Sequence, residues 1–441
     1  MPLFKLTPHW EAVDVLDAPE IIHTMTNLGL KVDNTNLLQN EDIWSKTIKD
    51  SVLVSAYPLA MWFASSWWRL NFEPLPASGK FPSIDWRMAH EMGAANHGYV
   101  WPKILFASDS EMMQIWASPS KADLQQSVRY LNGLDKLISV KSSDFQQSLE
   151  DFISSVLARL DTQDCQSTDL RHLWELIKEE RSEPDSFNYR RLEAKLGYDP
   201  DECPDSVMDK ALELNQKMGN DALSELAPIY GQTSLNAIDE IIANEGLIGK
   251  PSIPNLHKIQ STEAPWKRAV DTAHELRKEL SNNAGVIENK QLYDLLGLLE
   301  STVESWTPSS KRNNVALAIP ENKQIKFVPR KSHPLAKRFE LARLLGDYVL
   351  MGGSEEKWLT STDLSTSRQK FQRAFAAEFL CPIEPLKDFL QNDYSESAIE
   401  DAAEHFDVSQ TTVNSLLKNN GVIYSDFDNY SESRFPYKLA A

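Results

Sequence analysis

The chain is poor in cysteine: only Cys165, Cys203 and Cys381 occur in 441 residues, far apart and with no C-x-x-C pair. That excludes a disulfide framework and a thiolate zinc site, and it points to a reducing compartment, with the cytoplasm as the expected location. No run of about 18 apolar residues is present to span a bilayer. No basic stretch followed by an apolar core opens the sequence, so neither a membrane partner nor a secretory leader is expected. Basic residues are also short: 45 Lys and Arg against 64 Asp and Glu leave a formal charge of −19. As a whole-protein property this opposes non-specific nucleic-acid binding, though a local basic patch would escape the argument. The H-E-x-x-H metal motif is missing too. His90-Glu91 is followed at the fifth position by Ala94, and His274-Glu275 by Lys278. A structural zinc site needs about four ligands and a catalytic one about three, so no metal and no cofactor is expected.

What is present is an apolar share of 41% and a charged share of 25%, ordinary for a globular chain. The length accommodates two or three domains, and the pattern predicts a predominantly helical α+β, multidomain protein. The aromatic-rich start sets 1–125 apart as an α+β domain: Trp10, Trp44, Trp62, Trp67, Trp68, Trp86, Trp101 and Trp116 all fall there. Residues 58–72 read as one aromatic helix, and 99–107 with 111–117 as strands around the turn Ser108-Asp109-Ser110. Aromatics at such spacing usually form core; the alternative is a partner or ligand groove. The stretch 85–102 is dense in catalytic-type groups, so His90, Glu91 and His97, with Asp109, form a candidate acid/base or metal site. Their spacing specifies none, and satisfied histidines are the commoner outcome.

Between 126 and 245 the pattern is helical, with apolar residues at three- and four-residue steps over 127–137, 145–160, 170–180, 189–196, 205–218 and 221–229. Pro184 and the run 199–204 punctuate it, and the stretch reads as a helical domain of its own. Prolines mark a linker over 246–265. Then come helices over 266–280 and 290–302, a hairpin of 314–319 with 324–329, and two further helices. A helix-turn-helix-like pair over 398–421 and a tail over 426–441 end the chain.

The two further helices carry the most specific signal. The segment running from His333 through Phe339-Glu340-Leu341-Ala342-Arg343-Leu344-Leu345-Gly346-Asp347 to Leu350 resembles the active-site helix of the ImmA/IrrE-type metallopeptidases, which reads R-x-x-F-x-x-A-H-E-x-G-H. The run Phe375-Ala376-Ala377-Glu378-Phe379-Leu380-Cys381-Pro382 resembles the F-A-A-x-L-L-x-P run of the next helix in that family. The resemblance covers 266–425 and implies a zincin-like module whose zinc ligands are lost. The two histidine positions fall on Arg343 and Asp347, the water-activating glutamate falls on Leu344, and the third ligand position falls at Phe371. Arginine stays cationic and leucine cannot accept a proton, so the set cannot work as H-E-x-x-H does. Arg343 and Asp347 stand four apart, which predicts an ion pair closing the degenerate site. Phe339, Leu341, Leu345, Phe375, Phe379 and Leu380 are the expected core of this module.

In the 398–421 pair, Ser409 is placed to cap the second helix. Gln410, Thr411, Asn414 and Lys418 are the candidate DNA contacts, but a single lysine is a poor reader of phosphates and bases, so packing or partner binding is favoured. The functional expectation is a non-catalytic regulatory or interaction protein on a pseudo-peptidase scaffold. As the resemblance implies, its partner is a repressor, toxin or phage protein in bacterial stress response, mobile-element control or phage defence. The alternatives are a DNA-binding regulator acting through 398–421, or an enzyme with its site in the first domain.

Overall fold

The computed structural model describes residues 3–13, 17–77, 82–121, 126–254, 263–308 and 314–423. The tail 426–441 and the 255–262 part of the expected linker lie outside the described residues. The fold is α+β, with helix at about 50% and strand at 17%, so helices predominate. The chain divides into two units, Met1–Asp205 and Ser206–Asp426.

Among the described residues the first unit holds three small antiparallel sheets. Phe4–Trp10 pairs with Met25–Val32, which also pairs with Thr35–Asn36 and Val52–Ser55. Met112–Ser118 lies between Lys103–Ser108 and Ile138–Lys141. Asn40–Asp42 lies between Thr47–Lys49 and Val128–Tyr130. The expected helix over 127–137 is therefore corrected: Val128 and Tyr130 suit a strand, and the buried Tyr130 donates its hydroxyl to the Val100 carbonyl at 2.7 Å. The aromatic segment 58–72 is two helices, Tyr57–Ser65 and Trp67–Phe72, separated at Ser66. Trp62, Trp67, Trp68, Trp86, Trp101 and Trp116 are buried. Several of their indole N–H groups find acceptors, as with Trp62 on the Met88 carbonyl and Trp86 on the Pro74 carbonyl. The aromatics are core, as buried rings with satisfied donors must be; Trp44, 79% exposed, is the exception.

The stretch 126–245, expected to be one helical domain, is divided between the units. Helices Ser142–Asp161, Asp169–Ser182 and Pro184–Lys195 belong to the first, where Phe145, Leu149, Phe152, Val156 and Leu160 bury one stripe in the core that contains Phe4, Phe63 and Phe106. Pro184 opens a helix instead of breaking one. It sits in the first turn, where a missing N–H costs nothing, and Glu183 accepts from the Ser186 amide.

The second unit is built on one antiparallel sheet in the order Leu247–Gly249, Gln324–Val328, Ala316–Glu321, Leu359–Ser361. The expected linker thus begins with a strand of the sheet. The expected helix 290–302 is interrupted at Gly297, which takes a left-handed φ of 66° to end Asn289–Leu296. A side chain there would collide with the Lys250 backbone, so glycine is required by conformation and by close approach. Helices Pro334–Leu350 and Ser367–Leu380 pack on each other and on the sheet with Leu341, Leu344, Leu345, Phe375, Phe379 and Leu380 buried; Phe339 is half-buried at the margin. Their close approach passes over Gly346, where a Cβ would lie 2.6 Å from Phe375 Cδ1.

Candidate functional site

Arg343 and Asp347 belong to a buried polar network arranged around the edge strand Leu359–Ser361. An edge strand leaves backbone donors and acceptors without a neighbouring strand, and buried ones must be paired. Here side chains from the two helices do that work. Asp347 Oδ2 accepts the Thr360 amide at 3.0 Å, and the Thr360 carbonyl accepts Gln369 Nε2 at 3.0 Å and Gln372 Nε2 at 2.7 Å. Gln369 Oε1 accepts the Thr362 amide at 2.8 Å, while Arg343 Nη2 donates to the Thr362 carbonyl at 2.6 Å and to Gln369 Oε1 at 2.7 Å. Arg343 and Asp347 both act as clips on the backbone of 360–362.

Arg343 and Asp347 do not pair with each other, which corrects the expectation from their spacing. Asp347 is held by Arg368, Nε to Oδ1 at 2.8 Å and Nη2 to Oδ2 at 2.7 Å. Arg368 also donates to the Asp221 carbonyl at 2.8 Å. Helical spacing brought Arg343 and Asp347 onto one face, but the planar two-donor edge of Arg368 matches the carboxylate better. Leu344 is fully buried in the apolar core. Phe371 is not part of the polar site: its ring stacks toward Phe375 at 6.3 Å, and the helix presents Arg368, Gln369 and Gln372 to the strand instead. Those three went unmarked in the sequence; polar residues at 368, 369 and 372 on an otherwise apolar core helix were the available signal.

The surroundings are strongly charged. Arg330 bonds Glu340 at 2.6 Å and grips Asp363 at 2.7 Å and 2.9 Å. Burial, followed by the like charges of Arg373 and Arg330, pushes Arg343 down to about 9, which still leaves it cationic at neutral pH. Burial also opposes the charge of Arg368, but Asp347 outweighs it and raises that group. Zinc does not fit this set. Asp347 has its oxygens engaged, and the buried atoms without a hydrogen-bond partner here are Arg343 Nε, Thr360 Oγ1, Ser361 Oγ and Gln372 Oε1, none of them an imidazole, thiolate or carboxylate. Glu378, the carboxylate of the matched run, accepts from the Ile383 amide at 3.1 Å and contacts His274 Nε2 at 2.7 Å. Among the described residues no cluster of three His, Cys, Asp or Glu side chains is arranged to hold a metal.

The candidate residues of the first unit, His90, Glu91, His97 and Asp109, each have partners outside that set. His90, 0% exposed, stacks on Trp86 at 4.0 Å; its Nδ1 meets the Phe106 carbonyl at 3.0 Å and its Nε2 meets Glu73 at 3.2 Å. Glu73 in turn pairs with buried Arg69 at 2.8 Å; its contact with His90, 17 residues away, was concealed by sequence spacing. Glu91 forms a two-point contact with Arg87, and Asp109 accepts the Glu111 and Met112 amides in a hairpin turn. His97 stands apart at the surface on a left-handed backbone.

No family model, curated protein or solved structure matches this chain.

The C-terminal helices are Glu396–His405 and Gln410–Asn419, with Ser409 capping the second by accepting the Thr412 amide. They pack through Ile399, Ala402, Ala403, Val413, Leu416 and Leu417, and Asp407 contacts buried Arg338 at 3.4 Å. Gln410, Thr411 and Lys418 are exposed and Asn414 is half-buried, its amide donating to the Gln410 carbonyl. The first helix of the pair exposes Glu396, Glu400, Asp401 and Glu404. Such a surface repels phosphates. No helix among the described residues is long and apolar enough to cross a membrane.

Proposed function

We propose that this protein is a non-catalytic interaction protein built on a pseudo-metallopeptidase scaffold, whose partner is another protein. The observation that carries this reading is the grip of Arg368 on Asp347, which uses a former ligand position to hold helix to helix and helix to strand. A site kept for hydrolysis would present ligands to a cleft; this one spends its polar groups on its own backbone. The partner then engages exposed surface, and the carboxylates of Glu396, Glu400, Asp401 and Glu404 suit a basic protein. A repressor, toxin or phage protein in bacterial stress response, mobile-element control or phage defence is the proposed class, on the strength of the resemblance to ImmA/IrrE-type peptidases.

The test combines elemental analysis of the purified chain with binding and cleavage assays on basic repressor or toxin candidates. The expected result is far less than one zinc per chain, no cleavage, and a stable complex that weakens with salt and with charge reversal at Glu400 and Glu404. One zinc per chain, with cleavage abolished by a chelator, would overturn it.

A further inference from the structure

The first unit carries a surface cleft of about 370 Å³ lined by residues of the short helix Pro19–Ile22, the helix Tyr57–Ser65 and the turn that follows His90. Its apolar lining includes Ile21, Met61 and Trp62, and the Trp62 indole N–H is already given to the Met88 carbonyl. Such a cleft, mostly apolar with a few polar groups, is the usual form of a small-molecule site. Glu20 is the one carboxylate on its wall, and no basic side chain of Lys or Arg type lines it. The Glu20 backbone carbonyl accepts from Thr24, but its carboxylate makes no hydrogen bond or ion pair among the described residues. His97 faces the same cleft from an unusual backbone. Asn96 has φ 47° and ψ −124°, His97 φ 58° and Gly98 φ 74°. The Trp101 indole donates to the Asn96 carbonyl at 2.9 Å and holds the turn there. Non-glycine residues kept in such conformations concentrate where a site needs a side chain placed.

We propose that this cleft binds a small organic amine, an ammonium group on an apolar or aromatic body. An anion would meet the Glu20 carboxylate with only the His97 imidazole to offset it. A wholly apolar ligand would strip water from the carboxylate and give nothing back. An ammonium pairs with Glu20 while its body covers Trp62 and Met61, and ring and thioether surfaces both favour that contact. The inference is independent of the interaction role proposed above, since every residue it uses lies in the first unit.

The experiment is calorimetric titration of the full chain with phenethylamine, 2-phenylethanol and phenylacetate. Saturable binding of the amine is expected, with the alcohol weaker by roughly tenfold or more, as loss of a charge-assisted bond implies, and no binding of the acid. E20Q should weaken the amine by about the same factor, and S65W, which fills the cleft from an exposed position, should abolish binding with an unchanged melting temperature. Equal affinity for amine and alcohol, an E20Q protein that binds as wild type does, or no saturable binding of the amine would overturn the proposal. A Phe-Gly-Gly peptide with a free N-terminus, binding far tighter than phenethylamine and only when not acetylated, would overturn the small-amine assignment in favour of a chain terminus.

Discussion

Arg368 grips Asp347 by two parallel hydrogen bonds of 2.8 and 2.7 Å, and both residues are buried. The same carboxylate accepts the Thr360 amide, so one side chain ties together two helices and an edge strand. Removing a single partner from such a pair leaves a buried charge uncompensated.

R368A should therefore destabilise the protein by about 3–5 kcal/mol. The double variant R368M/D347N keeps an acceptor for the Thr360 amide and removes both charges, so it should recover at least half of that loss. Urea unfolding of the wild type, R368A and R368M/D347N checks this; a double variant as unstable as R368A would show that charge compensation is not what the pair supplies.

Gly346 makes the helix contact possible, since a Cβ there meets Phe375 at 2.6 Å and that ring is fully buried. Alanine gains about 1 kcal/mol in helix propensity over glycine, but overpacking costs about 1–3 kcal/mol. G346A should melt at a lower temperature than wild type in thermal denaturation.

Writing an H-E-x-x-H set into the helix Pro334–Leu350 as R343H/L344E/D347H should not create a zinc site. It removes the clips to Thr360 and Thr362, strands Arg368, and puts a carboxylate at a fully buried core position. The expected outcome is a marked loss of stability in denaturant and no stoichiometric zinc in elemental analysis, because the carboxylate on the helix Ser367–Leu380, Glu378, is already engaged by the Ile383 amide and His274.

Burial, with the Glu193 carboxylate next in importance, raises the Cys203 thiol from 9.0 to about 11; burial and Glu378 raise Cys381 to about 12. Both thiols stay protonated in the native state where an unfolded chain would ionise them. Their contribution to stability is intact below pH 9 and is lost as pH rises from 9 through about 11 and about 12. Iodoacetamide at pH 8 should label half-buried Cys165 first and reach Cys203 and Cys381 only on unfolding, read by peptide mass spectrometry.

Much of the second unit was legible because its elements announce themselves locally. The helix Pro334–Leu350, the hairpin at Asn322-Lys323, and the capped pair ending in Gln410–Asn419 all carry their signals within a few residues. The strands Leu247–Gly249 and Leu359–Ser361 did not, since three residues are too few for a periodic pattern and their pairing partners are distant. The same limit hid the partners of the candidate sites: Asp347 finds Arg368 at 21 residues, and His90 finds Glu73 at 17.

What the sequence determined by itself was the chemistry its side chains allow: neither His-Glu dipeptide completes an H-E-x-x-H set, and Arg343, Leu344 and Asp347 bring no imidazole to their helix. Side-chain identity settles what a group can ligate or protonate. Only the tertiary structure decided what those residues do instead, and which unit claims each helix of 126–245. Both depend on which surfaces meet across long stretches of chain: a carboxylate takes the best-matched donor within reach, and an amphipathic stripe is buried wherever an apolar face is open to it.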